Sequence, residues 1–359
     1  LDAVDTDVVT VSSAVASSDI NQTGGFFADV ATSLTLQTSA AGGLLSLGIG
    51  ASVMDEADLL ETLTISADGS ETSDITITAL GSTNAAAAVT SVSFTAANAA
   101  DITTASLDLA GATITTFTMD AQTTGSIITT GAITAASIDS LVMSAVTGAE
   151  VDGAGDFDVT TIGSITMSGG GTLRMDNASN GITTLESIDA SATSGTVVID
   201  MGIVTGDIQT TLGTGTNTYS AGLGTDTITL ASAAGTDVIN QNVLGAADEI
   251  SVTNFTSGTD IVELSIAGIN TWSGGGIATF VLTDIDNSAA STAAATVAFT
   301  TVTGVIDFDD TDADANIMVI NANVSTLAAL KTELAVGGDH QVTIGATTLA
   351  NDEGFLVLW

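Results

Sequence analysis

The chain has 359 residues and sets 42 acidic side chains against two basic ones, Arg174 and Lys331, for a formal charge of −40 with the lone His340 neutral. No basic patch exists to neutralise phosphate, which excludes nucleic acid and anionic lipid as direct partners, while an apolar content of 45% and a mean hydropathy of +0.49 exclude an acidic disordered chain. The absence of Cys excludes disulfides and thiolate-bound metals, and the absence of Pro suits uninterrupted strand ladders.

The chain opens at Leu1 without Met or a charged leader, so either a start has been removed or export uses no N-terminal signal. No apolar run reaches the length of a membrane-spanning helix. Residues 1–57, with Gly24-Gly25-Phe26-Phe27 and Gly42-Gly43, read as an N-terminal β region or first coils.

Over 58–240 a strand recurs in the form apolar, Ser or Thr, apolar, then a small or acidic residue and usually Ala. It starts at Leu63, Val92, Phe117, Leu141, Ile165 and Ile188, with steps of 29, 25, 24, 24 and 23 residues. A near-constant period of this size signals stacked coils. A second apolar position follows at Ile75, Ile102, Ile127, Val151, Leu173 and Val197, and a third at Leu107, Ile133, Phe157 and Ile182. Three short strands per coil, parted by Gly, Ser, Thr, Asn and Asp, predict an all-β fold: a parallel β-helix, or β-solenoid, of about 24 residues per coil. One coil orders too many residues for the apolar surface it can bury, so stability must come from neighbouring coils. The matched places of Met119, Met143 and Met167 make them a core column and not a soft-metal site.

Glu150, Asp152, Asp156 and Asp158 flank Gly153 and Gly155, and Arg174 stands beside Met175-Asp176. The acids form either solvated turns or a cation site; Arg174 is an ion-pair partner on the solenoid flank.

The array then enters Leu212-Gly213-Thr214-Gly215-Thr216-Asn217-Thr218-Tyr219-Ser220, Ala221-Gly222-Leu223-Gly224-Thr225-Asp226-Thr227-Ile228-Thr229 and Ala234-Gly235-Thr236-Asp237-Val238-Ile239. These units resemble the nonapeptide G-G-x-G-x-D-x-U-x of RTX proteins, with Leu212 and Ala221 in place of the first Gly and Asn217 in place of the first Asp. The following segment, Ala247-Asp248-Glu249-Ile250 through Gly258-Thr259-Asp260-Ile261-Val262-Glu263-Leu264-Ser265, resembles the stretch that closes RTX blocks in type I secreted proteins. Upstream, Leu185-Glu186-Ser187-Ile188-Asp189-Ala190 is similar to the coils of RTX-type bacterial S-layer proteins. The resemblance implies turns that hold Ca²⁺ through Gly carbonyls and Asp oxygens. The residues it assigns are Gly213, Gly215, Asn217, Gly222, Gly224, Asp226, Gly235 and Asp237. It also implies export through a type I exporter, folding in external calcium and assembly at the cell surface.

Residues 241–359 break the period and read as a β-rich assembly or secretion region. Asp307, Asp309, Asp310, Asp312 and Asp314 form a second candidate calcium cluster, because alternation in a strand places the last three on one face. A helix is expected near 325–334, His340 reads as a turn residue, and Gly354-Phe355-Leu356-Val357-Leu358-Trp359 reads as a final strand or an acidic-then-apolar export end.

Catalysis is not expected: there is one His, no Cys and no G-x-S-x-G, and few aromatics for a sugar cleft. The expected function is an extracellular, calcium-dependent, self-assembling structural protein, an S-layer subunit or filament protomer whose partners are copies of itself and a cell-surface polysaccharide. The alternative is an RTX adhesin or ice-binding module; regular T-x-T ranks would favour it, and the linear sequence displays no strict rank.

Overall fold

The computed structural model describes, in a first compact unit, residues 8–13, 19–22, 31–39, 44–47, 59–69, 74–81, 88–153, 157–176, 181–231, 235–241, 249–256 and 259–264, together with four short strands of a second unit. The first unit is an all-β parallel solenoid, as the period predicts. Its first face begins with Val8–Ser13, paired in parallel to Ser33–Thr38, then Thr62–Ala67 and Ser91–Ala96. It continues through Thr116–Ala121, Ser140–Ala145, Ser164–Gly169 and Ser187–Thr193 to Gln209–Thr211, Thr225–Thr229 and Glu249–Thr253. The second face runs from Asp19–Gln22 and Leu44–Leu47 to Asp237–Gln241 and Ile261–Leu264. A third face stacks Leu80, Leu107, Ile133 and Phe157. Strands Ile102–Ala121 and Ile127–Ala145 each turn through all three faces without a break.

The repeat read from sequence is the physical register. Leu63, Val92, Phe117, Leu141, Ile165 and Ile188 are successive partners on the first face. Strands such as Thr62–Ala67 and Ser91–Ala96 alternate half-exposed and buried residues, since side chains on a strand point to opposite sides in turn. The interior therefore receives Leu, Ile, Val and Phe, and the outside Ser and Thr. Phe94, Met119, Met143 and Met167 form one buried column, so the methionines are core, with Met filling the irregular gap between faces. Phe94 and Phe117 meet edge-on at 5.3 Å, and Phe117 reaches Phe157 of the third face at 6.4 Å, tying two walls together.

One position differs from the sequence reading. Ile128, not Ile127, joins Ile102 and Val151 in the buried rank, and Ile127 is 37% exposed. A one-residue displacement turns a strand side chain to the opposite surface, so two adjacent isoleucines leave the choice to the register. Arg174 is exposed on the second face directly across from Asp152 of the preceding rung, a cross-strand pair of opposite charge.

The coil also shortens. Thr210 pairs with Ile228, a rung of 228 − 210 = 18 residues, whereas Leu63 pairs with Val92, a rung of 92 − 63 = 29. The short rung equals two nonapeptides and falls on the glycine-rich units.

The second unit, Ile266–Trp359, has Ile306–Asp307 parallel to Val342–Thr343 and Ile317–Val319 parallel to Leu356–Leu358. The terminal apolar run thus contains a final strand. The helix expected near 325–334 and His340 lie outside the described residues.

Candidate functional site: a polar column in the glycine-rich turns

Where the coils shorten, the buried column at the start of the second face changes chemistry. Val197 is followed in register by Asn217 and then Asp237, and Val238 pairs with Ile261, which sets Asp260 across from Asp237. Asn217, Asp237 and Asp260 are 0%, 3% and 9% exposed. Burial of this kind is rare for carboxylates and is tolerated only with partners.

The partners come from the turns. The Asn217 side-chain amide donates to the Gly213 carbonyl at 3.0 Å, the Gly215 carbonyl at 3.3 Å and Asp237 Oδ1 at 2.6 Å. Asp260 accepts the Asp237 backbone N–H at 3.2 Å and the Thr256 N–H at 2.7 Å. Burial pushes the Asp237 carboxyl above the usual Asp range; the Asn217 amide draws it down, and the nearby Asp260 raises it again. Neighbouring carboxylates in one low-dielectric turn oppose each other's ionisation.

Glycine is required for this approach. A Cβ on Gly215 would collide with the Gly195 carbonyl, and one on Gly235 with the Gly215 carbonyl, so the turns nest at rung spacing only without side chains. Gly224 adopts a φ of 105°, a left-handed conformation open to Gly.

Asp226 lies elsewhere, on the first face, fully buried with Oδ1 accepting the Ile208 N–H at 2.9 Å. Asp207 accepts the Thr225 N–H at 2.8 Å, and Leu223 donates to the Val204 carbonyl at 2.7 Å, which fixes the Gly222–Gly224 turn. Tyr219 is buried beside Thr210 and Asp226, and its phenol is held above its ordinary value by burial first and by Asp226. The glycine-rich rungs thus set Asn217, Asp226, Asp237 and Tyr219 among the buried Leu212, Ile228, Leu230 and Ile239.

The assigned residues therefore separate into two groups. Gly213, Gly215, Asn217, Gly235 and Asp237 converge on one turn column; Gly222, Gly224 and Asp226 form a second turn. Asp309, Asp310, Asp312 and Asp314 lie outside the described residues, and Asp307 ends the strand Ile306–Asp307. Glu150 and Asp152 belong to the second-face strand Glu150–Gly153 and Asp158 to the third face, while Asp156 lies outside the described residues. Asp260 is the residue the site assignment lacked. Its signal was present: Gly258-Thr259-Asp260 repeats Gly235-Thr236-Asp237.

Among the described residues no three His, Cys, Asp or Glu side chains gather at one point. A hard cation here would depend on carbonyl and amide oxygens alongside Asp237, which is the donor chemistry of calcium. Gly213 O, Gly215 O and Asp237 Oδ1 converge on the Asn217 side-chain nitrogen, while Asn217 Oδ1 is buried without a hydrogen-bond partner. The set fits calcium in type. Comparisons of the chain with protein-family models, with curated proteins and with solved structures find no match.

Proposed function

We propose that this chain is an extracellular structural protein that self-assembles at the cell surface and is stabilised by calcium in its glycine-rich turns, in the manner of an RTX-type S-layer subunit or filament protomer. The observation that carries the reading is the 18-residue rung at Thr210–Ile228, beside the buried Asn217, Asp237 and Asp260 column. Turn carbonyls and carboxylates, the oxygen donors that calcium takes, lie close together there. A chain of charge −40 resists compaction by self-repulsion, and a cation bound only by the folded form offsets it. Extracellular calcium modules dissociate at about 10⁻⁴ to 10⁻³ M. Low cytosolic calcium would leave the turns open for export through a type I exporter, and millimolar calcium outside would close them. A stacked solenoid presents long flanks and ladder-like ends suited to contacts with copies of itself, and a cell-surface polysaccharide is the proposed anchor.

Electron microscopy of the purified protein tests the reading: ordered sheets or filaments in millimolar calcium that disperse on chelation support it. Single particles under both conditions overturn it. A second reading, a module that binds a regular surface without assembling, draws on the Ser and Thr ranks of the first face.

A further inference from the structure

The outward positions of the first face form three ranks. Across the six rungs from Ser33–Thr38 to Ser164–Gly169, the middle rank is Thr35, Thr64, Ser93, Thr118, Val142 and Thr166. Of 6 × 3 = 18 such positions, all but Gln37, Val142 and Asp120 are Ser or Thr, so 18 − 3 = 15 carry a hydroxyl. The middle rank is the Ser or Thr position of the repeat read from sequence, and the flanking ranks join it in the folded ladder. One carboxylate in 18 positions is a small share for a chain of charge −40. Other acids stand at the second face, as Asp74, Asp101, Glu150 and Asp152, and on the third, as Asp108 and Asp158; beyond these six rungs the first face itself carries Asp189 and Glu249.

We infer that this hydroxyl face is the surface through which two copies of the chain meet. The inference rests on the self-assembly reading and adds to it the contact surface. Copies of such charge repel over the acidic faces, whereas here they approach with almost no opposed carboxylates. Charges on the other walls are screened beyond about 8 Å at physiological salt. The side chains are uniformly short, which lets two sheets approach at about 10 Å. Six rungs at about 4.8 Å by strands of about 20 Å give about 600 Å² a copy, or about 1,200 Å² in all. That reaches the lower bound for a specific interface; the next rung places the exposed Asp189 in the middle rank, so the contact is confined to these six rungs.

Two other occupants fit less well. No outward aromatic stands in these ranks to stack on a sugar. T-x-T, the pattern suited to ice, occurs in these six rungs only at Thr62/Thr64 and Thr116/Thr118, with Ser elsewhere and Gln37 and Asp120 as interruptions.

Sedimentation of the full chain at fixed millimolar calcium tests the contact. The wild type should associate with little dependence on sodium chloride. The double substitution Thr64→Glu/Thr118→Glu should weaken association at least tenfold with circular dichroism unchanged, whereas Thr129→Glu on the second face should leave it intact. Association that survives Thr64→Glu/Thr118→Glu overturns this contact and leaves self-assembly standing. A wild type that stays monomeric overturns both. A monomer retained on ice or on crystalline cellulose, and released by the double substitution, assigns the face to a foreign lattice and likewise overturns the proposal.

Discussion

Asn217 and Asp237 are partners on adjacent rungs, and the Asn217 amide lies 2.6 Å from Asp237 Oδ1 inside the turn column. A neutral donor here satisfies a carboxylate that burial first, and Asp260 second, push towards protonation. The arrangement ties folding and acidity to the place where cation binding is proposed.

Calcium should therefore raise stability. Melting should move upward with calcium, by an amount that grows with its logarithm once it exceeds the dissociation constant, and chelator should reverse the rise. Calorimetry checks this; identical melting with calcium and with chelator would remove calcium from the account.

Asp237→Asn separates the metal from the fold. The amide keeps an acceptor for Asn217 and removes the opposed charge, so metal-free stability at neutral pH should rise by on the order of 1 kcal/mol. The calcium-induced rise should fall in the same variant. Thermal melts of both proteins with and without calcium read the two effects separately.

Acid should stabilise the metal-free protein. A carboxyl whose value is raised on folding holds its proton more tightly in the folded chain, so its contribution is full below the ordinary Asp range and disappears as pH rises through the folded value. Asp237 is raised by burial and Asp260; Asp101 is raised by burial first and by Asp74, against the pull of the Ile127 N–H. Melting points measured from neutrality down to about pH 5 should climb, and Asp101→Asn with Asp237→Asn should flatten the slope relative to the wild type.

The methionine column should behave as packing. Met143→Ala opens a cavity between Met119 and Met167 and should cost about 2–5 kcal/mol, while Met143→Leu should cost under about 1.5 kcal/mol. Denaturant unfolding measures both. An alanine variant as stable as the wild type would contradict a packed interior.

Gly215→Ala tests the nested turns. Its Cβ would meet the Gly195 carbonyl, so the rungs must part locally at a cost of about 1–3 kcal/mol. Hydrogen exchange should accelerate first in Thr196–Asp200 and Thr216–Ser220, the two strands joined at that corner.

The sequence alone carried the solenoid, because alternation and near-equal spacing are properties of single strands and their order. Leu63 through Ile188 could be aligned without coordinates since each strand repeats the same inward residues. It also carried Gly213, Gly215, Asn217 and Asp237, whose spacing is local. The tertiary structure decided what depends on residues absorbed by the corners: Ile128 over Ile127 in the core, Asp260 in the buried column, and the placing of Asp74, Asp101, Glu150 and Asp152 on a different wall from the Ser and Thr ranks. Rungs range from 30 residues at Leu45–Ile75 to 18 at Thr210–Ile228, and only the closed ladder of hydrogen bonds fixes which residues of unequal coils stand side by side.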